Sequence, residues 1–165
     1  IDGFRGAVLQ MIAHGFVVVG LFFAAEIIYR RYETRAISEM GGIRALAPKF
    51  TSLFLILVLA SVALPTTFNF VGEFTVLYSL SQINIWFAIL GGTTIIFGAY
   101  YMLKMFQYVM LGETNTKTFY PLSLIETITL LSIVAVLFFF GLYPKPITDL
   151  ITPSLEEILT QINKI

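Results

Sequence analysis

Four apolar runs, separated by short polar stretches, organise this chain. The first covers residues 6–28 and is interrupted only by Gln10, His14 and Glu26. Its length is enough to cross a bilayer core of ~30 Å as a helix. Residues 29–49 then change character, bringing Arg30, Arg31, Arg35, Arg44 and Lys49 together with Glu33 and Glu39. Gly41-Gly42 and Pro48 mark this stretch as a loop. The second run, residues 50–80, is too long for one ordinary span of ~20 residues. It carries Pro65-Thr66-Thr67-Phe68-Asn69 at its middle. Proline lacks an amide donor and clashes with the preceding turn, so the run is expected to break within residues 64–70, leaving parts at 51–64 and 71–80. Unwound backbone survives at membrane depth only when buried in protein or lining a polar cavity.

The third run covers residues 85–110 and contains Lys104; a polar loop, 112–121, leads to the fourth run, 122–143. Pro144 and Pro146 end that run. Beyond it Leu155, Ile158, Leu159 and Ile162 follow helical spacing, while Glu156, Glu157, Gln161 and Lys164 take the other face. Thr152 before Pro153 reads as the start of this short amphipathic helix, which would lie at the membrane interface or on a partner. The pattern therefore predicts an all-α membrane protein with about four transmembrane helices, the second broken near Pro65, plus a C-terminal amphipathic helix. Residues 1–146 form the transmembrane part, with helices at about 6–28, 50–80, 85–110 and 122–143, and residues 147–165 the amphipathic tail.

Composition excludes the soluble alternative. Of 165 residues, 58% are hydrophobic and 12% charged, about half the charge of a soluble domain, and mean hydropathy is +0.88. Zero net charge removes any electrostatic case for nucleic acid, and the absence of Cys removes disulfides and iron–sulfur ligation from this chain. The opening Ile1-Asp2-Gly3, without Met or a charged leader, reads as a fragment of a longer protein. Lysines and arginines number six in the 29–49 and 112–121 loops, against three (Arg5, Lys145 and Lys164) on the other side. That bias places the Arg-rich loop in the cytoplasm or a mitochondrial matrix, and both chain ends opposite.

Ionisable groups at membrane depth are costly and mark candidate functional sites. His14 lies mid-way along the first run, with Gln10 one turn away on the same face. Its ordinary pKa suits proton uptake and release, and the competing role is a neutral hydrogen-bonding group between helices. A metal role is disfavoured because there is no second His. Glu73 follows the break; it is a candidate protonatable carboxylate, against the alternative that exposed amides of a first helical turn simply stabilise it. Lys104 is either an internal relay or a side chain snorkelling to the cytoplasmic interface. Glu26 is expected to pair within the Tyr29-Arg30-Arg31 turn, and Ser123-Leu124-Ile125-Glu126 has the spacing of a helix capping box.

Three strings carry a resemblance: Gly6-Ala7-Val8-Leu9-Gln10-Met11-Ile12-Ala13-His14-Gly15; Tyr32-Glu33-Thr34-Arg35 with Met40-Gly41-Gly42; and Leu64-Pro65 with Asn69-Phe70-Val71-Gly72-Glu73-Phe74. In this order and spacing they resemble the antiporter-like membrane subunits of proton-pumping NADH:quinone oxidoreductase (respiratory complex I), of the type of chain M or mitochondrial subunit 4. The resemblance implies a C-terminal fragment of a larger subunit that moves protons along a line of lysines, histidines and glutamate. It implies that His14 and Glu73 belong to that path; Gln10 and Pro65 are supporting candidates, and Lys104, which matches no position that the resemblance assigns to the path, stays a candidate only. No cofactor is expected in this chain, since NADH, FMN, iron–sulfur clusters and quinone would belong to other subunits. The partners implied are those other membrane subunits, the missing N-terminal helices of the same subunit and lipid, in a bacterial inner membrane in preference to a mitochondrial one. One departure concerns the break, where the family often has Gly-Leu-Pro-Gly and this chain has Ala63-Leu64-Pro65-Thr66. Thr lacks glycine's freedom at positive φ, so a different local turn is expected. Two rival functions remain open: a subunit of a multisubunit cation/proton antiporter, and a purely structural membrane anchor.

Overall fold

The computed structural model describes residues 1–114 and 118–162, and every regular element among them is helical. Lys117 and Lys164, both used in the charge count, lie outside the described residues. Helix α1 is Asp2–Tyr32; after a single 3-10 turn at Ile37–Glu39 come α2, Ile43–Leu46, and α3, Pro48–Ser61. Then follow α4, Phe68–Ile83; α5, Ile85–Met110; α6, Leu124–Leu142; and α7, Lys145–Ile162. Helices α1, α5 and α6 are long and apolar enough to cross a membrane, and α3 is a shorter apolar helix. α3 and α4 together make the discontinuous crossing.

α1 is the hub. Its buried stripe of Leu9, Ala13, Val17, Ala24 and Ile27 recurs at helical spacing and meets α3, α4 and α6. Phe50, Phe54, Leu57 and Val58 of α3, Leu130, Val134 and Leu137 of α6, and Phe106, Val109 and Met110 of α5 complete one core. Lipid is as apolar as these side chains, so close packing and interhelical polar contacts, not exclusion from solvent, must hold the helices together.

The break spans residues 62–67, two residues earlier than expected at its start, and α4 resumes at Phe68. Its backbone is fully explicable. The Ala63 amide bonds to the Ala60 carbonyl at 3.3 Å and the Leu64 amide to the Leu59 carbonyl at 3.0 Å. With Ala63 at φ +55, this is a Schellman C-cap whose left-handed position is filled by alanine, where glycine is usual. Next, the Thr67 amide bonds to the Leu64 carbonyl at 3.0 Å, closing a four-residue turn with Pro65 second and Thr66 third at φ +85. Those are the features of a type II turn, which ordinarily demands glycine at its third position. The chain thus adopts positive φ at both Ala63 and Thr66, contrary to the expectation that threonine would redirect the turn. Part of the reason is α6: Gly141 packs directly on the Thr66 carbonyl and the Thr67–Phe68 peptide, leaving no room for a Cβ. The amides freed by the break close mostly on local carbonyls.

Other boundaries also move. α1 extends through Tyr32, and the 29–49 stretch holds short helical pieces, not one loop. α4 runs to Ile83, and Asn84 alone reverses the chain, its side chain accepting from the Trp86 amide at 2.9 Å to cap α5. The tail helix begins at Lys145, not at Thr152, because Pro146 occupies the first turn where its missing donor costs nothing. Pro153 is accommodated in the helix interior, and the Thr152 hydroxyl donates to the Thr148 carbonyl at 2.6 Å just before it. This helix folds back on α1, burying Leu155, with Ile147 and Ile151 against the core, while Ile158 and Ile162 of its apolar face are exposed.

Candidate functional site

Helices α1 and α4 pack antiparallel, and small residues set how closely. Gly3 lies against Ser79, Gly6 against Val76, and Gly72 against Gln10. A Cβ on Gly6 would stand 2.9 Å from the Val76 amide nitrogen, and one on Gly72 would stand 2.7 Å from the Gln10 amide nitrogen. Backbone approach of this kind requires glycine. It also fixes a register in which each step forward along α1 matches an equal step back along α4.

The register brings polar groups together at mid-crossing. Gln10 Nε2 donates to Glu73 Oε1 at 2.9 Å. The Glu73 side chain is half-buried, and His14, one turn beyond Gln10, is exposed yet within electrostatic reach of that carboxylate. Since α4 begins at Phe68, Glu73 lies beyond the first turn, so the end amides of the helix are not its support; Gln10 is. Two acceptors are left over. Gln10 Oε1 and Asn69 Oδ1 are both buried without a hydrogen-bond partner, and Asn69 is only 1% exposed. Buried acceptors are nearly always satisfied in proteins, by protein or by ordered water. The carboxamide also suits both states of its neighbour: it donates to an ionised Glu73, and after turning over it accepts from a neutral one.

The remaining candidates lie apart from this crossing. Lys104 is exposed on α5 and reaches one turn toward that helix's C-terminus, its Nζ 5.3 Å from the centre of the Tyr108 ring. Pro65 is exposed within the break. His14 and Lys104 are exposed in this chain and Glu73 is half-buried, so none of the three is a buried ionisable group here. Among the described residues no group of three or more His, Cys, Asp or Glu is gathered in one place.

A second polar centre sits toward the Arg-rich end. Arg31 Nη2 and Glu126 Oε2 are 2.8 Å apart, with side chains 9% and 16% exposed. Arg31 also donates from Nε to the Tyr120 carbonyl at 2.8 Å, and from its two terminal nitrogens to the carbonyls of Ile27 and Pro121, both at 3.1 Å. Glu126 closes the expected capping box with Ser123, and Glu26 pairs with Arg30 at 2.8 Å as expected. From the sequence Arg31 is a topology charge and a member of the turn expected to pair with Glu26, and Asn69 is part of a string; the Arg31–Glu126 pair joins residues 95 apart, and the orphaned Asn69 oxygen is visible only in the folded chain.

Comparison with known proteins identifies the setting. Residues 1–98 match the transmembrane family described as NADH:quinone oxidoreductase/Mrp antiporter. The chain belongs to this family. Among members, NADH-quinone oxidoreductase subunit M of Rickettsia typhi is 37% identical over 160 residues, covering 95% of this chain and 32% of the relative. The subunit M of Rhodobacter capsulatus is 35% identical over 161 residues, covering 96% and 31%. In structure, a chain of respiratory complex I from Thermus thermophilus with bound NADH matches with a TM-score of 0.81 at 32% identity, over 87% of this chain and 30% of that one. A chain of the Mrp complex from Dietzia sp. DQ12-45-1b matches with a TM-score of 0.76 at 16% identity, over 88% and 36%, which shows a shared fold. This family member spans about a third of the length of the curated relatives it matches.

Proposed function

We propose that this chain is the C-terminal part of a proton-translocating membrane subunit of NADH:quinone oxidoreductase, and that Glu73, Gln10 and His14 carry part of its proton path. The observation that supports the reading best is the Gln10–Glu73 hydrogen bond, which joins the broken crossing to α1 beside His14. A carboxylate held between helices by a group that can serve it charged or neutral is suited to taking and giving up a proton. Redox chemistry would lie in other subunits, which bind NADH, FMN, iron–sulfur clusters and quinone; this chain contributes the ion path. Lys104, by its place near the end of α5, is assigned to the interface and not to the path. The Arg-rich end faces the cytoplasm of a bacterial cell, which labelling of a cysteine placed at Ser38 from either side of the membrane tests.

The family description also covers Mrp antiporters, so a subunit of a cation/proton antiporter is the alternative. Co-purification of the full-length subunit with peripheral iron–sulfur subunits separates the two. The proton path is tested by the proton-to-electron ratio of the intact complex reconstituted in vesicles. Glu73→Gln and His14→Gln are each expected to lower the ratio with assembly retained. A ratio unchanged in both variants would leave only a structural anchor.

A further inference from the structure

The α1–α4 register extends one step beyond the contacts that define it. Gly3 meets Ser79, Gly6 meets Val76 and Gln10 meets Gly72, so the next residue in line on α4, Asn69, comes level with Ala13 and its neighbour His14. Asn69 is also one helical turn before Glu73, on the same face of α4. The register thus puts Asn69 one turn from Glu73 along α4 and level with the His14 turn of α1. Asn69 Oδ1 is buried and has no hydrogen-bond partner, although the residue is 1% exposed. Gln10 Oε1, across the crossing, is in the same condition. An apolar side chain would fill this position at less cost if packing were its only duty, since burying an amide oxygen unpaired carries the full penalty of its lost hydration. An orphaned acceptor one turn from a carboxylate calls for a donor, and water is the smallest: one proton serves Asn69 Oδ1 while the other stays available to a ring nitrogen.

We propose that Asn69 is a positioning residue of the proton path, its carboxamide oxygen holding a water molecule that links Glu73 to His14. The inference rests on the proton-path reading of Glu73. In it a neutral Glu73 carboxyl gives its proton to the water, and the water gives one of its own to an unprotonated ring nitrogen of His14. A carboxylate and an imidazolium result, the water is regenerated, and the reverse transfer restores both groups. Asn69 neither gains nor loses a proton; it fixes where the water sits.

The test compares Asn69→Ser with Asn69→Ala in the intact complex, since these variants leave similar space and differ by one hydroxyl. Two quantities are read: the proton-to-electron ratio in vesicles, and the carboxyl stretching band of Glu73 in infrared difference spectra, assigned by its loss in Glu73→Gln. Asn69→Ala is expected to lower the ratio toward that of Glu73→Gln and to shift the band. Asn69→Ser is expected to recover most of the ratio and the native band position. Equal ratios and equal band positions in the two variants overturn the proposal, whether both are native-like or both impaired. If that happens while Glu73→Gln still lowers the ratio, only the role of Asn69 falls; if Glu73→Gln is itself without effect, the proton-path reading fails beneath it.

Discussion

Two interhelical polar centres differ in how completely they are satisfied. At the Arg-rich end, all five donors of the Arg31 guanidinium are used: Nε on Tyr120, Nη1 on Ile27 and Glu126, and Nη2 on Pro121 and Glu126. The cation also lies over the Phe119 ring at 5.1 Å, and Glu126 accepts in addition from the Ser123 amide at 2.7 Å. At the α1–α4 crossing, by contrast, one hydrogen bond joins Gln10 to Glu73, and two buried oxygens beside it have no partner. A saturated network has no vacancy for another proton or water and holds one arrangement. An unsaturated one keeps room for a change of protonation. The first centre staples α1 to the start of α6; the second is where exchange is chemically possible.

The largest effect expected is at the staple. Arg31→Met strands the Glu126 carboxylate with only the bond from the Ser123 amide, and breaking a buried pair from one side costs about 3–5 kcal/mol, the lower end applying to a slightly exposed pair. Thermal unfolding of the purified complex should register this loss, and adding Glu126→Gln to Arg31→Met should restore part of it. Gly141→Ala comes next. The new methyl collides with the backbone of residues 66–68, which cannot yield as a side-chain tip would, so about 1–3 kcal/mol should be lost. Thr66→Gly acts in the opposite direction: relieving a β-branched residue at φ +85 should raise stability by about 1 kcal/mol, readable as an upward shift in melting temperature. No stabilisation by Thr66→Gly would mean that the break does not hold the turn described for it.

How far the sequence shows these centres depends on chain distance. The apolar runs, the break at Pro65, the Glu26–Arg30 pair and the Ser123–Glu126 capping box all follow from neighbours within a few residues, and all are present. The Gln10–Glu73 bond joins residues 63 apart, and Arg31–Glu126 joins residues 95 apart. The register of the first is set by Gly3, Gly6 and Gly72 at the α1–α4 crossing, and no local pattern says which helix a glycine will face. His14 and Glu73 stood out because ionisable groups are rare in apolar runs. Asn69 did not, because its significance lies in an oxygen that three-dimensional packing leaves without a donor. The start of the tail helix is ambiguous in the sequence for a local reason: Pro153 and Pro146 are both acceptable in a first turn, and only the folded chain distinguishes the one that starts the helix.

The contrast between the two centres is tested most directly by the number of protons moved per electron, counted per assembled complex, in Glu73→Gln beside Glu126→Gln. Each substitution replaces a carboxylate with an amide of the same shape. Glu126→Gln should leave the ratio at the native value while lowering the melting temperature of the complex. Glu73→Gln should lower the ratio while leaving the melting temperature nearly unchanged. A native ratio in Glu73→Gln, with stability lost instead, would make the α1–α4 crossing a second staple and contradict its assignment to the proton path.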